Sequence, residues 1–239
     1  MPVTKSGQPI LRWLFLSIAL VTGVISVGLG TWQVRRLRER RAANAASELV
    51  RARPPQQYPG GGALGPDVRV VATGTYDLEH QFVLRGRAFD GAPGVEIATP
   101  LRMRGSDTAL IILRGFVPSD DATSLDRSAI AEPGTRTIHG VAFLMGEVGI
   151  PVVRHGDTTW DRLPGRGMPT LLPYPVSPYA VWQEKESGMT GFPIRLGAPA
   201  LSEGPHLSYA IQWFAFALIF GGGGIFYTFR RPSAQDSPT

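Results

Sequence analysis

Residues Trp13 to Val34 read WLFLSIALVTGVISVGLGTWQV, an apolar run without a formal charge. A second such run, LSYAIQWFAFALIFGGGGIFYTF, extends from Leu207 to Phe229. At 1.5 Å per residue a helix through either is about 33 Å long, enough to cross a hydrocarbon core of roughly 30 Å. Both are expected to span a membrane. The chain then reads as a hairpin carrying one extramembrane domain: residues 1–12 as a lead, 13–34 as the first span, 35–55 as a helical stalk, 56–206 as a β-rich domain, 207–229 as the second span and 230–239 as a tail. A removable signal peptide is the alternative for the first run, since Lys5 and Arg12 precede it. The run is longer than an ordinary signal core, and Gly30-Thr31-Trp32-Gln33 leads into arginines, not a small-residue cleavage site.

With 21 Pro and 29 Gly in 239 residues, the composition suits two spans and a single domain. The net charge of +5 is concentrated, because Arg35, Arg36, Arg38, Arg40 and Arg41 crowd just past the first span. Such a collar points to lipid headgroups or an acidic partner, and not to nucleic acid. The absence of cysteine excludes disulfides, thiolate metal sites, cysteine nucleophiles and covalent c-type haem together.

Charge gives two conflicting topologies. Arg230 and Arg231 after the second span place the C-terminus in the cytoplasm, whereas the arginines after the first span would place the domain there. The rule is weakest for long loops.

Beyond the first span, Val34, Leu37, Ala45, Leu49 and Ala52 keep helical spacing until Pro54-Pro55. Gln56 to Pro66 reads as a linker. Strands are expected at Val68–Tyr76, Gln81–Ala88, Val95–Met103, Ala109–Phe116 and Thr135–Leu144, each rich in β-branched or aromatic residues and bounded by turn formers. Tyr179–Lys185 and Phe192–Leu196 read as two more. A helical turn capped by Ser119 or Asp120 is expected within Ser119–Ile130, and Arg154–Pro178 reads as an irregular excursion. The domain is therefore a mostly antiparallel β barrel or sandwich.

Enzymatic motifs are lacking: no phosphate loop, no H-E-x-x-H and no G-x-S-x-G occurs. The glycines between Gly86 and Gly94 suit a hairpin turn. Asp120-Asp121, and Asp157 with Asp161, read as exposed turn carboxylates. The chain is not expected to be an enzyme. Of the four histidines, His80, His139 and His155 read as surface or satisfied residues of the domain. His206 differs, because it opens the second span, where it shares a helix face with Tyr209, Ala210, Trp213, Ala217 and Gly221. Imidazole is a haem-iron ligand, and small residues admit a flat ligand or another helix. In a hairpin, Trp32, Gln33, Arg35 and Arg36 stand level with His206–Trp213. Guanidinium groups suit carboxylates such as haem propionates, and Gln33 with Gln212 could hydrogen-bond across the helices. An ordinary interfacial belt of Trp, Tyr and Arg is the competing reading.

The end motifs Gly30-x-Trp32-Gln33-x-x-Arg36 and His206-Leu207-x-Tyr209-Ala210-x-x-Trp213-Phe214 resemble those of the Surfeit locus 1 family of cytochrome oxidase assembly proteins. Gly74-x-Tyr76, Thr99-Pro100-Leu101, Leu110–Pro118, Ile138–Val141 and Trp160-Asp161 follow the family's order. Gly204-Pro205, where the family often has Asn, and Phe116, where Trp is common, depart from it. The resemblance implies an assembly factor for a haem-copper terminal oxidase, with the β domain in the periplasm. Haem a would be its transient cargo, received from haem a synthase and passed to oxidase subunit I. It assigns His206 as the axial iron ligand; Tyr209 and Trp213 are then expected to shape the pocket and Arg35 or Arg36 to hold propionates. The short lead suits a bacterial cell inner membrane. A membrane scaffold that stabilises oxidase subunits without touching haem is the alternative.

Overall fold

The first apolar run and the arginines behind it form one helix, α1 (Gln8–Arg51). The computed structural model describes residues 8–58, 64–146, 151–154, 157–187 and 189–230. His155 lies outside them. The helix stops just before Pro54-Pro55, whose rings disfavour helical backbone in the preceding residue. The second run forms α2 (His206–Phe216), a π-helical turn (Ala217–Gly222) and α3 (Gly223–Phe229). Ile10–Arg51 and His206–Phe229 are each long and apolar enough to cross a membrane. The chain divides into two units: residues up to Ala45 with those from Leu201 onward, and Ala46–Ala200.

In the helical unit, the covered positions of α1 are Leu16, Ala19, Gly23, Ser26, Gly30, Gln33 and Leu37. Their spacing alternates between three and four residues, the heptad seam of a helix pair. On the opposing run the covered positions are His206, Ala210, Trp213, Ala217, Gly221, Gly224 and Thr228. This series exceeds three heptads by one residue, and the π turn absorbs the excess. Glycine is required where the backbones are close: a Cβ on Gly23 would lie 3.2 Å from the Gly221 Cα. Leu, Ile, Val and Phe side chains point outward from both helices, as lipid contact demands.

In the β unit, the strands are β1 (Gln56–Gln57), β2 (Arg69–Tyr76), β3 (Phe82–Phe89), β4 (Ala92–Met103), β5 (Ala109–Pro118), β6 (Thr135–Leu144), β7 (Pro151–Arg154), β8 (Asp157–Trp160) and β9 (Val176–Gln183). The ladder β2-β6-β9-β5-β4 closes on itself through a β2–β4 pairing. It is a small barrel, antiparallel except for β5 with β9, and β3, β8 and β7 extend it beyond β4. Closure pairs the two edges of this five-stranded ladder, and the sheet ends at β1 and β7. The turn between β3 and β4 is Asp90-Gly91, both at positive φ, the chemistry of a two-residue hairpin.

Val70, Tyr76, Leu101, Leu110, Ile112, Ile138 and Val181 fill the barrel. Phe82, Leu84, Ile111, Leu113, Trp160, Leu172 and Ala180 form a second cluster. Residues of β5 enter both clusters, so Ala109–Val117 is buried without interruption, and its sequence shows no polar alternation, Arg114 being its one charged residue. Each buried Leu or Ile contributes roughly 1.5–3 kcal/mol of transfer energy.

Three local expectations are corrected. Phe192–Leu196 is no strand, and only Ile194 pairs, in an isolated bridge to Phe116. Gly115 (φ 128°) allows that approach, since a Cβ there would collide with the Ile194 carbonyl oxygen. Arg154–Pro178 is more ordered than its Pro and Gly content implied, because it includes β8 and a 3-10 segment, Gly165–Thr170. Within Ser119–Ile130 the helical turn is confined to Ser128–Ile130. The preceding loop is organised by Asp121, whose Oδ1 accepts the Thr123 and Ser124 N–H groups and the Ser119 hydroxyl. These bonds to Ser124, Thr123 and Ser119 hold its carboxyl well below the ordinary range.

Candidate functional site

The helix seam ends in a polar pair. His206, first residue of α2, has its Nδ1 2.8 Å from Oε1 of Gln33 on α1. An amide oxygen only accepts, so Nδ1 carries the hydrogen of this bond, and Nε2 is the ring nitrogen left outside it. Gln33 is buried by the seam, and His206 is half-buried.

The chain entering α2 is held from α1. Arg41 forks onto Glu203, with Nε 2.8 Å and Nη2 2.9 Å from the two carboxylate oxygens. Arg40 Nε donates to the Ser202 carbonyl at 3.0 Å. The hydrogen bond from Arg41 draws the Glu203 carboxyl below its ordinary range. Gly204 turns the backbone through φ 70°, and its N–H donates to the Ser202 hydroxyl. Pro205 precedes the helix, and its carbonyl accepts the Tyr209 N–H. A side chain at Gly204 would start 3.5 Å from Cδ2 and 3.6 Å from Nε2 of His206, so glycine keeps that ring edge clear.

A cavity of about 460 Å³ adjoins this ring, lined by Arg36, Glu39, Arg40, Ala43, Ser202, Glu203, Gly204 and His206. Imidazole and guanidinium are the side-chain types that hold a haem iron and its carboxylate arms, and the same cavity wall carries Glu39 and Glu203, which engage Arg36 and Arg41.

The structure brings His206 and Arg36 together here. Arg35 does not line the cavity, and both Arg35 and Arg36 bind Glu39, at 3.1 and 3.0 Å. Tyr209 is exposed and Trp213 packs in the seam, its ring 5.7 Å from that of Phe216; neither lines the cavity. Gln212 is exposed, so the partner of Gln33 is His206. Arg40, Glu203 and Gly204 were not singled out for this site by sequence. The signal available for Gln33 was its place in the heptad series with Gly23 and Gly30.

A second polar cluster lies in the β unit. A β-bulge leaves Arg114 of β5 without a partner on β4, since Ile97 pairs with Gly115 and Ala98 with Leu113. Fully buried, Arg114 donates to Gln81 Oε1 at 3.0 Å and to the Ile130 carbonyl at 2.5 Å. It also pairs with Glu132 at 3.2 Å and lies 4.8 Å from the Tyr76 ring centroid. Glu132 binds Arg195 as well.

The sequence model of the SURF1 family matches residues 20–218, which include both end motifs and every residue of the cavity. The chain belongs to the SURF1 family. A SURF1-like protein of Monosiga brevicollis is 25% identical over 238 residues, covering 87% of this chain and 84% of the relative. The SURF1 family consists of cytochrome oxidase assembly factors and is not known as a catalytic family. Membership agrees with two membrane-competent helices flanking a mostly antiparallel β barrel.

Proposed function

We propose that this SURF1 family member carries haem a during assembly of a haem-copper cytochrome oxidase. Nε2 of His206 takes the iron, and Arg36 with Arg40 at the cavity wall meets the propionates. Haem a synthase supplies the cargo and oxidase subunit I receives it. The setting is a bacterial inner membrane, with the β barrel on the periplasmic side. The observation that carries this reading is the His206–Gln33 hydrogen bond, which engages Nδ1 and leaves Nε2 as the ring nitrogen available to a ligand, beside a cavity with guanidinium groups. A single protein ligand suits a carrier, because cargo held by one exchangeable bond can leave.

A scaffold that holds oxidase subunits without haem is the second reading. It is favoured by the engagement of Arg36 with Glu39 and of Arg41 with Glu203, which leaves these guanidiniums partly satisfied by the protein itself. Absorption spectra of the detergent-purified chain, expressed with and without haem a synthesis, separate the two. The carrier reading expects a haem a band in the wild type that is lost in His206→Ala. A folded wild type with no band supports the scaffold.

A further inference from the structure

We infer that Gln33 is a positioning residue that sets how firmly His206 holds its ligand, and that its neutrality is what makes the cargo releasable. The inference rests on the haem-carrier reading and deepens it.

A metal-ligating histidine ordinarily donates its second ring N–H to a carboxylate, a backbone carbonyl or water, and that partner fixes the tautomer and raises the ligand's basicity. Here the partner is a side-chain amide on the other helix, 2.8 Å away and 9% exposed. An amide oxygen orients the ring as a carboxylate would, but it carries no charge. It therefore withdraws the Nδ1 proton less and leaves the imidazole a weaker donor toward iron. Carboxylates are available nearby, yet Glu203 is committed to Arg41 and Glu39 to Arg35 and Arg36. Bonds from Arg40 and Arg41 to Ser202 and Glu203 hold the chain before His206, so the amide acts on a ring whose backbone is already placed.

The test uses the full-length protein in detergent, loaded with haem, as wild type, Gln33→Glu and Gln33→Met. Haem release is timed by capture in excess apomyoglobin, and the haem midpoint potential is measured by redox titration. Gln33→Glu, which supplies a charged acceptor of the same length, is expected to slow release about ten-fold and lower the potential. Gln33→Met, which keeps volume and removes the acceptor, is expected to speed release about ten-fold or more. A folding defect would move both variants the same way, so the opposite signs are diagnostic. Release rates and potentials equal to wild type in both variants, with haem still lost in His206→Ala, would overturn the role of Gln33 and leave the carrier reading intact. A wild type that takes up no haem would overturn both.

Discussion

Gly224 of the second helix meets Ala19 of the first so closely that a methyl added to the glycine would stand 2.5 Å from the alanine Cβ. The neighbouring Gly222 has no such partner within 4 Å. The two glycines, two residues apart, are thus subject to different constraints. Gly224→Leu is expected to destabilise the helix pair by about 1–3 kcal/mol, the usual cost of overpacking. Gly222→Ala should stay within about 0.5 kcal/mol of wild type. Thermal unfolding of the two variants in detergent checks this, and equal losses would contradict the packing described.

Gly204 combines left-handed backbone with proximity to His206 Nε2. A Gly204→Ala variant carries about 1–2 kcal/mol of local strain and a methyl beside the ligand edge. On the proposed haem-carrier reading, haem occupancy should therefore fall while the melting temperature changes little. The spectrum and the unfolding curve of the same sample measure the two effects.

The β unit contains an acid-sensitive clasp. Burial would raise the carboxyl of Asp67, but hydrogen bonds from the Ser47 hydroxyl (2.7 Å) and Arg51 (2.6 Å), with the Arg51 charge, hold it below its ordinary value. The unfolded state then binds the proton more readily than the folded one. The stabilisation is fully present above the ordinary carboxylate value and is lost as pH falls through the lower folded value. Asp67→Asn should flatten stability against pH from the ordinary carboxylate range downward. Unfolding midpoints across that range would expose an error if the wild type and variant slopes coincide.

Arg114 is the most deeply buried charge among the described residues. Replacing it with Met keeps the volume but breaks the pair with Glu132 and leaves the Ile130 carbonyl without its guanidinium donor, while Gln81 Oε1 keeps the Thr99 hydroxyl, at an expected cost of about 3–5 kcal/mol. Glu132 also pairs with Arg195, so Glu132→Gln carries a cost of its own, and the double variant should lose less than the sum of the two single losses. Denaturant titration of the two single variants and the double variant measures the coupling. Strict additivity would mean that Arg114 and Glu132 act independently.

The strands β2 to β6 were legible because each is a short β-branched or aromatic run between turn formers, and Asp90-Gly91 marks a hairpin by backbone chemistry alone. Phe192–Leu196 misled for the converse reason. It has strand-like residues, but the backbone of β5 after the bulge leaves room for one bridge through Gly115 and no ladder. β8 escaped notice because it lies in a region full of Pro and Gly, which masks both its local hairpin with β7 and its pairing with β3, far away in sequence.

At the site, His206 was legible from its position at a span boundary and its family motif. Its true neighbours were less so. Tyr209 shares a helical face with His206 on a wheel drawn at 100°, but the seam follows heptad spacing, so Ala210 and Trp213 turn inward and Tyr209 faces outward.

The sequence by itself determined the two membrane-competent helices, the β-rich middle and the family, because hydrophobic length, strand periodicity and motif order are properties of contiguous residues. Only the tertiary structure decided that Gln33 holds His206, that Glu203 occupies Arg41 and that Arg114 turns into the barrel. Each of these depends on which residues meet across long sequence separations, and that is fixed by helix register, strand pairing and close packing, which no local pattern encodes.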